Sequence, residues 1–278
     1  MIRLSTRLAP GLLGAAAGFA LFAGAAPAFA DVIEAPAREF CADRPGKGSP
    51  TCTLEPGAFQ LEGGFGYARH DEGGVRAEEF DYGALTFRWG LTERMEGQIL
   101  WSPYVVDRVK IGGVTFQEEG SGDVAFSLRH GLTDPDGEGP SMALQVIVSA
   151  PTGSDHISAD VWEGSVMLPM AFEVGENTEL SLMPQIDIVG DAAGGGHHTA
   201  IAGVIGVEHG MGDLTFAAEL WARRDDDPLG EVTEASVGFQ LMWTPSTMDD
   251  VQFDIGVDIG LNEDTPDLEF GAGIAKRF

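Results

Sequence analysis

One pattern constrains this chain more than any other. From Gly57 to Phe278, stretches of about ten residues alternate apolar and polar side chains, and each is followed by a turn or loop. In Val251–Gly260 the odd positions are Val, Phe, Ile, Val and Ile, while the even ones are Gln, Asp, Gly, Asp and Gly. The same phase runs through 180–188, 235–243 and 59–67. A period of two marks a β-strand with one face in an apolar medium and the other in a polar one. It predicts strands near 57–68, 80–89, 95–105, 122–132, 141–150, 161–173, 179–189, 199–208, 214–223, 232–243, 250–260 and 267–278. Each is close to the length a tilted strand needs to cross a bilayer. An even total suits a ring whose two chain ends lie on the same side. The expected fold class is all-β, a transmembrane antiparallel up-and-down barrel of about 12 strands.

The N-terminus reads as an export signal over residues 1–30. Arg3 and Arg7 precede a run of apolar and small residues, and Ala28-Phe29-Ala30 supplies an A-x-A cleavage site before Asp31. No later stretch is apolar for long enough to be a membrane helix. Removing the signal leaves 14 basic and 44 acidic residues, a net charge of −30. A polyanion of this kind excludes nucleic acid as a partner, because that affinity depends on Lys and Arg neutralising phosphates. Cys41 and Cys52 are the two cysteines, and after export they are expected to form a disulfide. Closing so small a loop stabilises by roughly 3 kcal/mol in the chain-entropy model. The segment 31–56 is then a disulfide-closed piece that either hangs in the periplasm or plugs the barrel mouth.

Short turns at 90–93, 175–178 and 209–213 alternate with longer, acidic connections at 70–79, 107–120, 152–160, 190–198 and 224–231, the expected periplasmic and outer sets. The stretch 133–140 is long for the periplasmic side. Trp89, Trp101, Trp162 and Trp243 fall near strand ends, where an aromatic girdle sits, whereas Trp221 falls on the polar phase and should face the lumen. The polar phase places Arg88, Glu96, Gln98, Asp123, Arg129 and Asp187 in that lumen, together with Glu208, Glu219, Arg223, Asp254, Asp258, Glu269 and Arg277. These are the candidate residues of a solute path. Whether they line an open channel or satisfy one another in a plugged interior is left open by a strand number between filled and open barrels. The many lumen glycines favour open space.

Several strings resemble one family. Asp43-Arg44-Pro45, Leu54 to Glu62, Arg88 to Glu96, Gly120-Ser121-Gly122-Asp123-Val124, Ser149 to Ser154 and the closing Gly271 to Phe278 are similar, in the same order, to the "meta-pathway of phenol degradation"-type outer-membrane proteins. That resemblance implies a barrel in the Gram-negative cell outer membrane and a loose link to uptake of hydrophobic or aromatic compounds. It carries no catalytic residues and no cofactor.

The functional expectation is passive uptake of a small solute, with outer-membrane lipid and lipopolysaccharide as surroundings. Phe278 is the expected signal to barrel-assembly machinery, and Lys276 departs from the apolar phase beside it. A structural barrel without transport is the first alternative. An acyl hydrolase is the second, hinted at by His130 on the apolar phase, but no G-x-S-x-G elbow accompanies it. His197-His198 lacks a visible third ligand, so no metal site is expected. The runs Asp225-Asp226-Asp227 and Glu118-Glu119 read as a solvated face that could bridge to lipopolysaccharide through divalent cations. Intact-mass measurement of the exported protein should give a chain beginning at Asp31; retention of the first thirty residues would refute the signal assignment.

Overall fold

A computed structural model describes residues 38–133 and 139–278. The expected signal segment, its cleavage site and part of the 133–140 connection lie outside them. The strands are β1 Phe59–Glu72, β2 Val75–Tyr82, β3 Leu85–Thr92, β4 Met95–Trp101, β5 Tyr104–Ile111, β6 Val114–Gly120, β7 Val124–Gly131 and β8 Ser141–Ala150. They continue as β9 Glu163–Met167, β10 Met170–Gly175, β11 Thr178–Gly190, β12 His197–Met211, β13 Leu214–Asp225, β14 Val232–Trp243, β15 Val251–Gly260 and β16 Leu268–Arg277.

These sixteen segments make a closed antiparallel barrel of twelve staves. Four staves are interrupted: β2 and β3 are one stave, as are β4 and β5, β6 and β7, and β9 and β10. Pro103 and Pro169 sit in two of the breaks, where the missing N–H and the fixed ring interrupt the ladder. The ring closes where β16 runs antiparallel to β1, from Gln60 opposite Arg277 to Arg69 opposite Leu268. Phe278 adds a final pair: its N–H donates to the Phe59 carbonyl at 2.7 Å.

Closure turns the alternation into two environments. Outward residues such as Ile186, Ile201, Ile205, Leu220 and Phe239 are more than half exposed, whereas inward Gln60, Glu62, Arg88, Glu96 and Arg129 are wholly buried. Soluble folds put these classes the other way round, so the apolar outer surface is a lipid-facing band. Aromatic side chains mark its two borders. Phe59, Phe87, Trp89, Trp243 and Phe253 lie at the end that holds Arg38 and Phe278, with Trp243 and Phe253 rings 5.5 Å apart. Phe65, Tyr82 and Tyr104 cluster at the other end. Lys276, on the lipid phase, reaches Asp250 in the turn after β14, which removes the conflict with its neighbours.

Two expected loops are not loops. The stretches 70–79 and 107–120 continue as strands joined by two-residue turns, Gly73-Gly74 and Gly112-Gly113. All four glycines have positive φ, from 56° to 84°, as a tight hairpin turn with two left-handed residues demands. Alternation vanishes there because the hairpins stand beyond the lipid and both faces are wet. Their charges pair across strands instead: Lys110 Nζ meets Glu78 at 2.5 Å, and Arg76 Nε donates to Asp71 at 2.6 Å. Ile205, halfway along β12 and 54% exposed, tests the lipid band. Ile205→Arg should lower the unfolding free energy by about 2–4 kcal/mol in urea titrations from lipid vesicles, and a change below 0.5 kcal/mol (roughly RT) would refute that placement.

Candidate functional site

Residues 38–56 lie inside the barrel. The segment starts at the periplasmic mouth, where Arg38 donates to the Glu93 carbonyl at 3.0 Å and Arg277 Nη1 donates to the Arg38 carbonyl at 2.8 Å. It climbs through Cys41 and Asp43 to Lys47, turns, and descends through Cys52 and Leu54 to Gly57, whose N–H reaches the Gly90 carbonyl at 2.9 Å. The Cys41–Cys52 disulfide ties the two limbs, with their Cα atoms 6.6 Å apart.

The lower storey is ionic. Arg88 grips Glu96 with two parallel hydrogen bonds of 2.8 and 2.9 Å and reaches Glu62 at 2.9 Å. Arg88 and Gln60 each donate to the Cys41 carbonyl at 2.8 Å. Arg129 binds Gln145 at 2.9 Å, the Cys52 carbonyl at 3.3 Å and the Asp43 carboxylate. Glu62 and Glu96 in turn accept the backbone N–H of Asp43 and Leu54. Burial pushes the Asp43 carboxyl up, but the Arg129 and Arg88 guanidiniums, with the hydrogen bonds from Arg129 and Gln98, hold it below the usual carboxylate range. Asp43 is therefore docked as an anion.

The upper storey uses the glycines. A Cβ at Gly64 or Gly273 would collide with the Arg44 guanidinium, and one at Gly256 would press on Pro45. The space these glycines leave is thus taken by the segment, which corrects the expectation that they open the lumen. Arg44 Nε lies 3.3 Å from Asp254. Lys47 Nζ meets Glu269 at 2.5 Å and sits 4.8 Å from the Trp221 ring centre, which faces inward as the sequence predicts. The N–H groups of Lys47 and Gly48 both donate to Glu219.

The remaining candidates fall into three settings. Asp187 accepts from Ser165 and from Gln185, and Arg223 binds Asp225 at 2.8 Å and Glu234 at 3.3 Å, a group on the wall above the segment. Glu208 lies opposite Glu179 on β11, with Glu173 next in register, and Asp258 faces Gly238. Asp123 is not in a strand: it occupies the break between β6 and β7 and accepts the N–H groups of Thr152, Gly153 and Ala159 and the Ser158 hydroxyl. It brackets the outer connection after β8, so its placement on a solute path is withdrawn. This contact joins the Gly120–Val124 and Ser149–Ser154 strings, distant in sequence.

Sequence reasoning missed one feature outright. Ala125, Ile147, Met167, Met183 and Val204 are buried on the lumen side and pack together with Leu100 and Trp221. They occupy the polar phase of their strands, so they read as exceptions to the alternation rather than as a patch. His130 faces outward between Met95 and Leu144 in register, while Ser127 on the same strand is buried inward, so the two do not share a face.

The family model described as "Putative MetA-pathway of phenol degradation" matches residues 42–278. No curated protein sequence matches the chain. Among solved structures, the COG4313 outer membrane channel from Pseudomonas putida F1 superposes with a TM-score of 0.65 at 13% identity, covering 81% of this chain and 97% of that one. The β domain of the Bordetella autotransporter BrkA gives 0.51 at 12% identity, covering 81% and 100%. Both likenesses concern the fold, an outer-membrane barrel.

Breaking one buried pair should be costly because it strands the other charge. Arg129→Met leaves Asp43 without its main cation and should reduce the unfolding free energy by about 3–5 kcal/mol in urea titrations. The double variant with Asp43→Asn should recover part of it; equal losses in both would show that the two side chains do not interact.

Proposed function

The chain belongs to that phenol-degradation family, and on this footing we propose that it is an outer-membrane channel for passive uptake of a small apolar or aromatic solute, with residues 38–56 as its plug. The observation that carries the reading is the apolar lumen patch of Ile147, Met167, Met183 and Val204 beside Trp221. The patch is covered by the segment, with the Ser49 N–H 3.3 Å from Met183 Sδ and Gly48 against Val204, and an apolar patch flanked by polar storeys suits a guest that sheds its hydration where the segment gives way. The half-buried carboxylates of Glu179 and Glu208 lie opposite each other on β11 and β12.

The docked segment sets the resting state. It fills the lumen of a barrel too wide for wall side chains alone, and it supplies hydrogen-bond partners to Arg88, Arg129, Glu62 and Glu96, which would otherwise be buried charges. The disulfide keeps the inserted loop compact, so opening it loosens the plug. Planar-bilayer recordings of the refolded mature protein should show small or rare steps that grow on reduction or in the Cys41→Ser, Cys52→Ser double variant. Unchanged conductance would overturn the plug. Val204→Glu should cut uptake of an uncharged aromatic probe into proteoliposomes about tenfold or more (~1.4 kcal/mol per decade), while leaving ion steps in place. Uptake unaffected by Val204→Glu, in a folded protein, would take the path away from this patch, and no uptake by the wild type would favour a structural barrel.

A further inference from the structure

The acidic run 225–227 does not form a solvated face. Asp226 turns out to Arg224 at 3.0 Å, whereas Asp225 and Asp227 turn in towards His198 at the outer start of β12. The His198 side chain is 8% exposed. Its Nδ1 lies 2.9 Å from Asp191 Oδ1 and 3.5 Å from Asp227 Oδ2, and its Nε2 lies 2.5 Å from Asp225 Oδ1. Asp191 belongs to the connection between β11 and β12, and Asp227 to the one between β13 and β14, so the imidazole stands between two neighbouring outer loops.

The backbone holds the carboxylates in place. Asp227 accepts the N–H of Ala192 on one oxygen and that of Leu229 on the other, both at 2.7 Å. The Asp191 N–H donates to the Gly196 carbonyl at 3.1 Å, and a Cβ on Gly196 would overlap the Asp191 carboxylate. Asp225 is steadied by Arg223 Nη2 at 2.8 Å on its second oxygen.

The two sides of the ring are chemically distinct. His198 Nε2 and Asp225 Oδ1 are both buried and, although 2.5 Å apart, neither makes a hydrogen bond, whereas Nδ1 lies within hydrogen-bond distance of Asp191 Oδ1. A ring that ligates through Nδ1 carries its proton on Nε2, facing Asp225, and turns the Nδ1 lone pair towards two carboxylate oxygens. Acceptors facing one another at this range need a positive charge among them. The nearest guanidinium, Arg223, is already engaged with Asp225 and Glu234.

We propose that Asp191, His198 and Asp227 form a divalent transition-metal site on the outer rim, with Asp225 as the positioning residue that fixes the imidazole. The three ligand atoms lie within 4.8 Å of one another. Tetrahedral ligands about 2.0–2.1 Å from a zinc-like ion are roughly 3.3 Å apart, and the two Nδ1 distances bracket that value. One nitrogen and two carboxylate oxygens suit Zn(II), Co(II) or Mn(II), with water completing the shell. A carboxylate behind the ligating histidine is the usual second partner of such a ring. The bound ion clasps two loops at the lumen entrance.

The test is a Co(II) titration of the refolded, tag-free mature protein, read by visible absorbance, with Zn(II) calorimetry beside it. One saturable ion per barrel is expected. Binding should be lost in His198→Ala and in Asp227→Asn, be weakened about 10–100-fold in Asp225→Asn, and be unchanged in His197→Ala, whose ring meets the Trp162 carbonyl instead. Heat-modifiable gel mobility confirms that each variant is folded. No saturable binding by the wild type would overturn the site. Wild-type binding by a folded His198→Ala would overturn it too, assigning the ion to exposed acidic residues.

Discussion

Every backbone N–H and C=O in hydrocarbon must find a partner on another strand, and the seam between β1 and β16 is where this chain meets that demand. Without the seam, two edges would face lipid. With it, each stave has a fixed neighbour and tilt, and each side chain is assigned to lipid or lumen. The lumen that results is wider than side chains can fill in a smaller ring. The chain answers from its own N-terminus, so the interior is completed by a segment that belongs to no strand.

That segment explains how so many charges are buried. Arg88 and Arg129 are inaccessible, a position that isolated guanidiniums avoid because desolvation outweighs a single attraction. Here each meets carboxylates, amides and backbone carbonyls at once, and several of those partners come from residues 41–54. The wall and the segment are therefore one hydrogen-bonded network. The Asp43-Arg44-Pro45 string takes its meaning from this: Asp43 meets the lower arginines, and Arg44 and Pro45 fill spaces beside Gly64, Gly273 and Gly256.

Most of the barrel was legible because hydrocarbon imposes a strict period of two. The stave number, the girdle positions of Trp89 and Trp243, and the inward face of Trp221 all follow from phase. The rule fails where lipid ends. The hairpins at Gly73-Gly74 and Gly112-Gly113 are wet on both faces, so their strands look like charged loops. It also fails inside, where phase says only that a residue faces the lumen and not what it meets there. Glycine on the polar phase looked like vacancy because a missing side chain carries no record of what replaces it. Ile147, Met167 and Val204 come from different strands, and only the register of strand pairing makes them neighbours. Asp191 and Asp227 flank His198 for the same reason.

Arg44 has one more consequence. Gly64 and Gly273, between which its guanidinium lies, are directly paired partners across the β1–β16 seam. The seat for Arg44 is made half by the first strand and half by the last, so it does not exist until the ring is zipped. A complete seat for Arg44 thus presupposes a closed ring, and once seated the N-terminal loop rivets the first and last strands together from within.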